Sequence, residues 1–169
     1  MITFIIGGMK SGKSRFAMKE GENTGNRNLY YIATARVIDE EMKERIERHK
    51  KERDSYWITL EEPINLAEAI IKIPDNSSIV IDCLTTWLTN LIVEVNDYQK
   101  FINSFIELLT KLKEKIHIFI VANEVGLGII PETELGRKFI DIAGTVNQKI
   151  MDICDIAYLM IAGRALRIK

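Results

Sequence analysis

Gly7-Gly8-Met9-Lys10-Ser11-Gly12-Lys13-Ser14 constrains this chain more than any other stretch. It fits the pattern GxxxxGK[ST], and it stands directly after the apolar run Ile2–Ile6 and before a helical stretch, Ser14–Lys19. Strand, glycine loop and helix in that order is the context in which the pattern binds phosphate. Glycines let the backbone fold around an anion, so that successive N–H groups and the helix N-terminus point at it. Lys13 adds a charge for the β- and γ-phosphates, and the Ser14 hydroxyl suits Mg²⁺. Such a site also needs an acid at the end of another buried strand. Ser78-Ile79-Val80-Ile81-Asp82 supplies Asp82, which the sequence alone also allows to be the N-cap of the following segment.

The rest of the chain predicts what surrounds the loop. Ile2–Ile6, Leu29–Ala33, Ile79–Asp82, Ile116–Ala122 and Ile156–Ile161 are near-continuous apolar runs of the kind buried on both faces of a parallel sheet. Trp57–Leu60 and Leu166–Ile168 read as weaker or edge strands. Between them lie helical patterns, which makes the class α/β with helices packed on a mostly parallel sheet. Leu135, Phe139, Ile142, Val146, Ile150 and Ile153 step by three and four, predicting a helix over Glu134–Ile153. Tyr98–Lys113 reads similarly, with Asn96 and Gln99 as a capping pair. With 169 residues and no repeat or linker, residues 1–169 are expected to form a single domain.

Composition narrows the function. The 23 basic and 24 acidic residues leave a net charge of −1, so no global field holds the chain on nucleic acid, and an anionic ligand needs a local site. No apolar run approaches the roughly 20 residues of a membrane span, and Met1–Gly8 has neither a basic leader nor a cleavage site, so a cytoplasmic location is expected. Cys83 and Cys154 have no metal-site spacing and read as buried small apolar residues. No Asn-Lys-x-Asp guanine-reading motif occurs, and the chain is short for a motor, so a small-molecule transferase leads. The alternatives are a phosphate-loop kinase of another small alcohol and a nucleotide-gated binding module.

Only two histidines can carry imidazole chemistry, His49 and His117. His117 falls inside an apolar strand and reads as structural. His49 ends the helical pattern Ile38–Lys51, three residues after Ile46 on the stripe Ile38, Met42, Ile46. Arg45, Arg48, Lys50, Lys51 and Arg53 surround it. Spacing alone allows a solvated basic helix end with a partly buried histidine, or an imidazole among cations that acts as base or as nucleophile at phosphorus.

Six blocks, in order along the chain, carry a specific resemblance. They are GGMKSGKS (Gly7–Ser14), YIATAR (Tyr31–Arg36), DEEMKERIERHKKERDSYW (Asp39–Trp57), DCLTTWLTNL (Asp82–Leu91), NEVGLGIIPE (Asn123–Glu132) and RKFIDIAGTVNQ (Arg137–Gln148). The phosphate loop is common to many families, whereas RIxxHxxxRxxxW and NEVGxGIxP are distinctive. With them the chain resembles the bifunctional adenosylcobinamide kinase/adenosylcobinamide-phosphate guanylyltransferases of cobalamin biosynthesis. The resemblance implies a three-layer, RecA-like P-loop NTPase fold. It implies that His49 accepts GMP from GTP and that Lys13 serves the transfers, with Ser14 and Asp82 on Mg²⁺. Nucleotide contacts are implied at Gly7, Gly8, Met9, Lys10, Ser11, Gly12, Lys13 and Ser14, at Thr34, Ala35 and Arg36, at Lys50, Lys51, Glu52 and Arg53, and at Glu61 and Asp82. ATP and GTP are the implied nucleotide substrates and adenosylcobinamide the small-molecule partner, in a homo-oligomer, plausibly a trimer. Serving both the γ- and the α-phosphorus implies a second nucleotide pose or a moving His49 helix.

Overall fold

The computed structural model describes residues 1–37, 39–51 and 54–169; the side chains at 45, 49 and 51 lie outside the description. Ile38, Glu52 and Arg53, all drawn into the sequence reading, are therefore outside the described residues. In chain order the elements are β1 (Ile2–Gly7), α1 (Lys13–Glu22), β2 (Asn28–Ala33), α2 (Glu40–Lys51), β3 (Trp57–Glu61), α3 (Leu66–Ile71), β4 (Ser77–Asp82), α4 (Leu84–Glu94), α5 (Tyr98–Leu112), β5 (His117–Asn123), α6 (Glu134–Ile153), β6 (Ile156–Ile161) and β7 (Arg164–Arg167).

All seven strands join one sheet in the order β3-β2-β4-β5-β1-β6-β7. Every neighbouring pair is parallel except β6–β7. The five apolar runs occupy the centre because only there are both strand faces covered. The two weaker patterns, β3 and β7, sit at the edges as expected.

Strand alternation sorts the core into two layers. Phe4, Ile6, Ile32, Ile79, Ile81, Ile118 and Ile120 pack with side chains from α3, α4, α5 and α6. Ile5, Tyr31, Val80, Phe119 and Val121 face the other way, against Ala17 of α1 and Trp57. Helices on both faces of a mostly parallel sheet are the architecture expected from the sequence.

Boundaries moved where a specific group decides them. The α5 cap is not the Asn96/Gln99 pair. Asp97 stands immediately before the helix and its carboxylate accepts from the Lys100 N–H, whereas Gln99 donates to Asn103 on the helix surface. In α2, Asp39 Oδ1 accepts from the Met42 N–H at 2.7 Å, and the helix begins at Glu40. The final strand is Arg164–Arg167, set earlier than Leu166–Ile168 because positive-φ Ala162 and Gly163 turn the chain straight back along β6.

Candidate nucleotide site

The phosphate loop leaves β1 at Gly7 and enters α1 at Lys13. A Cβ on Gly7 would lie 2.4 Å from the Met160 carbonyl oxygen, so the first glycine of the motif is required by the neighbouring strand β6 before any phosphate is considered. Lys10 has φ 57° and Gly12, the residue before the helix, φ 93°. These left-handed residues curl the backbone. The Gly163 N–H donates to the Ser11 carbonyl at 3.0 Å, tying the loop to the β6–β7 turn. Gly8, Met9 and Lys10 are exposed along the rim. No acidic residue occupies the first turn of α1, so nothing in that turn competes with an anion for the helix N-terminus.

Lys13 is buried, with its ammonium donating to the Gly8 carbonyl at 2.6 Å and to Ser11 Oγ at 3.4 Å. Burial pushes it below the ordinary lysine value, against the opposing pull of Cys83 and Asp82. A charged amine folded back on its own loop, and costly to leave desolvated, is poised for an incoming phosphate oxygen.

The acidic half of the site is two strands away. β5 lies between β1 and β4, so Asp82 is separated from the loop's strand by roughly 10 Å of sheet. Register places Ala33 beside both Asp82 and Glu61, which lines these carboxylates along the C-terminal edge of the sheet. This edge, where strand order changes direction, is where ligands bind in open α/β sheets. Asp82 is not a helix cap; that role falls to Cys83, whose sulfur accepts from the Thr86 N–H. The Tyr31 hydroxyl donates to Asp82 Oδ2. Among the described residues Asp82 accepts no other side-chain hydrogen bond, and Oδ1 is left open.

Polar side chains hold this edge in place. Thr34 is fully buried; its hydroxyl donates to the Cys83 carbonyl at 2.9 Å and accepts from the Cys83 N–H at 2.8 Å. Asn90 donates to the carbonyls of Thr34 and Pro63. Thr85 Oγ1 accepts from the Asn123 N–H at 2.7 Å, and the Glu124 N–H donates to the Gly7 carbonyl at 2.9 Å. A chain of contacts thus runs from β2 through the start of α4 to the end of β5 and the phosphate loop. Thr34, expected to touch nucleotide, has its hydroxyl committed to the Cys83 peptide and serves as a strut.

The remaining expected residues lie on the β2–α2–β3 side. Ala35 and Arg36 are half-buried after β2, and Arg36 pairs with Glu94 of α4 at 2.5 Å. Lys50 pairs with Glu61 at 2.5 Å, bringing the C-terminal end of α2, and with it the backbone of His49, to the sheet edge that carries Asp82. No described side chain of α2 is buried, and Met42 and Ile46 of the expected apolar stripe are only half-covered. His117 opens β5 at the far end of the sheet, Nδ1 buried without a partner, and burial together with the N-terminal ammonium pushes its pKa down. Its structural reading stands. Both cysteines are free and buried.

Sequence reasoning missed Tyr31 as the partner of Asp82, and Asn90 and Thr85 as edge struts. The alternation of Tyr31 with Ala33 is the one available signal, because it puts the phenol on the sheet face shared by Val80 and Asp82.

Residues 3–168 match the family described as cobinamide kinase / cobinamide phosphate guanyltransferase. The bifunctional adenosylcobalamin biosynthesis protein CobP of Pseudomonas aeruginosa is 39% identical over 171 aligned positions, covering 100% of this chain and 98% of that one. The bifunctional adenosylcobalamin biosynthesis protein CobU of Escherichia coli K12 is 36% identical, with both chains covered completely. Among solved structures, the flagellar accessory protein FlaH of Methanocaldococcus jannaschii is similar with TM-score 0.54 at 16% identity, covering 99% of this chain and 77% of that one. The RadB recombinase gives 0.53 at 14% identity, covering 94% and 73%. At such identities these two show the fold alone, a RecA-like P-loop NTPase arrangement. The sequence match over nearly every residue shows more: the chain belongs to the cobinamide kinase / cobinamide phosphate guanyltransferase family.

Proposed function

We propose that this protein catalyses two successive transfers in cobalamin biosynthesis: phosphorylation of adenosylcobinamide by ATP or GTP, then guanylylation of the resulting phosphate by GTP. The observation that carries the reading is the meeting of three parts at one sheet edge. They are the phosphate loop with its buried Lys13, the open carboxylate oxygen of Asp82, and the end of α2 that bears His49.

In the first transfer the substrate hydroxyl attacks the γ-phosphorus. A P–O bond forms, the bond to the nucleoside diphosphate breaks, and the hydroxyl proton is released. Lys13 leaves the Gly8 carbonyl for the phosphate oxygens, and the loop N–H groups take up developing charge. In the second, neutral His49 attacks the α-phosphorus of GTP, forming an N–P bond as pyrophosphate leaves. The phosphate of adenosylcobinamide phosphate then attacks that phosphorus, the N–P bond breaks, and adenosylcobinamide-GDP departs with His49 restored. Lys50, Lys51, Glu52, Arg53 and Glu61, with Ala35 and Arg36, are assigned to nucleotide contacts around this step.

Ser14 and Asp82 are assigned to Mg²⁺, and the residues present fit it. No cluster of three or more His, Cys, Asp or Glu exists among the described residues, but Mg²⁺ with nucleotide needs only one or two protein oxygens. Asp82 Oδ1 and the Ser14 hydroxyl are without a described partner. When bound, Mg²⁺ neutralises phosphate charge and orients the reacting phosphoryl group.

The proposal extends to one domain over residues 1–169, a cytoplasmic location and a homo-oligomer, plausibly a trimer. No described helix is long and apolar enough to cross a membrane. Incubation with Mg²⁺ and GTP labelled at the α-phosphate tests the covalent step. Acid-labile, alkali-stable label on the wild type and none on His49→Ala is expected. An unlabelled wild type would remove the covalent step, and undiminished label on the variant would move it to a residue other than His49.

A further inference from the structure

We propose that Tyr31 is a positioning residue of the metal side of this site, holding one oxygen of Asp82 so that the other alone is presented to a divalent cation. The inference rests on the reading of Asp82 as the metal-side acid. A carboxylate at the end of a strand can turn about its terminal torsion and offer either oxygen, or both, to whatever cation is near. Here the Tyr31 hydroxyl donates to Oδ2, which removes that freedom. Among the described residues, Lys13 is a cation that could compete for Asp82. Its ammonium feels Asp82, yet the two form no ion pair within 4 Å, and Lys13 donates to Gly8 and Ser11. A freely turning Asp82 would offer either oxygen, or both, to a cation, whereas the Tyr31 bond leaves Oδ1 alone for that role.

The phenol is itself preorganised. Tyr31 is 3% exposed and packs edge-on against Trp57, with ring centroids 6.5 Å apart. Trp57 is fixed in turn by Nε1–H donation to Glu22 at 3.1 Å and by Gly21, where a Cβ would come within 2.9 Å of the indole. Gly21 and Glu22 lie at the end of α1, the helix that begins at Lys13. The orientation of Asp82 is thereby set by the same helix that forms the phosphate cradle. A partner of this kind, which touches the ligand and not the metal, affects metal affinity more than the fold.

The test is Mn²⁺ binding, followed by electron paramagnetic resonance of the free ion in the presence of GTP, on the wild type, Tyr31→Phe, Asp82→Asn and the double variant. Tyr31→Phe is expected to weaken Mn²⁺ binding by about tenfold or more. It should raise the Mg²⁺ concentration needed for half-maximal phosphorylation in parallel, and leave metal-free GTP binding unchanged. In the Asp82→Asn background it should add nothing, since its action passes through that carboxylate. Wild-type Mn²⁺ affinity in Tyr31→Phe with reduced affinity in Asp82→Asn overturns the role of Tyr31 and leaves Asp82 as the metal-side acid. Wild-type affinity in both overturns the two together. Loss of thermal stability and of metal-free GTP binding in Tyr31→Phe makes the residue structural and likewise overturns the proposal.

Discussion

The phosphate loop and the helix that carries His49 are built by opposite means. The loop is enclosed: Gly7 is pressed against β6, Ser11 is bonded to Gly163, and Lys13 is buried under its own backbone. Helix α2 lies on the surface. None of its described side chains is buried; Lys43 pairs with Glu40 within the helix, and among the described residues the one ion pair from it to the sheet is the exposed Lys50–Glu61. Buried packing fixes geometry, whereas an exposed ion pair is worth at most about 1 kcal/mol and yields readily. The contrast suits two transfers at different phosphorus atoms. On the proposed mechanism the rigid part would grip phosphates in both, and the weakly held part would bring the nucleophile for one.

The largest expected effect strikes the rigid half. Lys13→Ala should lower adenosylcobinamide phosphorylation by about 10²–10³-fold, the usual cost of a charge-stabilising donor. A steady-state assay checks it, and full activity would break the phosphate-loop argument. Next comes the strut beneath the acid. Thr34→Val leaves the Cys83 N–H unpaired in the interior, while the Cys83 carbonyl keeps the Trp87 N–H, so denaturant unfolding should lose about 1–3 kcal/mol. Gly7→Ala should cost about 1–3 kcal/mol by forcing β1 from β6. The matching change in the surface half, Lys50→Gln, should shift stability by less than about 1 kcal/mol, and the shift should shrink with salt. Equal losses from Gly7→Ala and Lys50→Gln would erase the comparison.

The smallest effect lies at the far end of the sheet. Burial holds the folded pKa of His117 below 6.5, so the unfolded chain takes up its proton at higher pH. Stability is therefore full above that value and falls as pH drops through the window between 6.5 and the folded pKa. His117→Phe should flatten this acid-side loss and change stability at neutral pH by less than about 1 kcal/mol, since the buried Nδ1 already lacks a partner. Melting curves across pH 5–8, about the range in which histidine titrates, measure it.

Much of this was legible in the residues because local rules determine it. Continuous apolar runs gave the central strands, and the weaker edge patterns found β3 and β7. The glycine-lysine-serine pattern gave the loop, and a terminal aspartate gave Asp82. Thr34 was legible as part of a block but not as a strut, because its partner, the Cys83 peptide, comes close only through β2–β4 pairing. Tyr31 was hidden for the same reason. The cap at Asp97 went to its neighbours because a capping box reads from spacing, whereas the helix start is decided by which carboxylate reaches the free N–H. Gly7 carried two demands, and only the phosphate one is visible without β6 beside it.

The central claim, a rigid phosphate site shared by two transfers with His49 serving only the second, is tested most directly by one product analysis. His49→Ala is supplied with adenosylcobinamide, Mg²⁺ and GTP, and the corrinoid products are separated. Accumulation of adenosylcobinamide phosphate with no adenosylcobinamide-GDP is the expected result. Formation of adenosylcobinamide-GDP by the variant, or failure to phosphorylate at all, would contradict it.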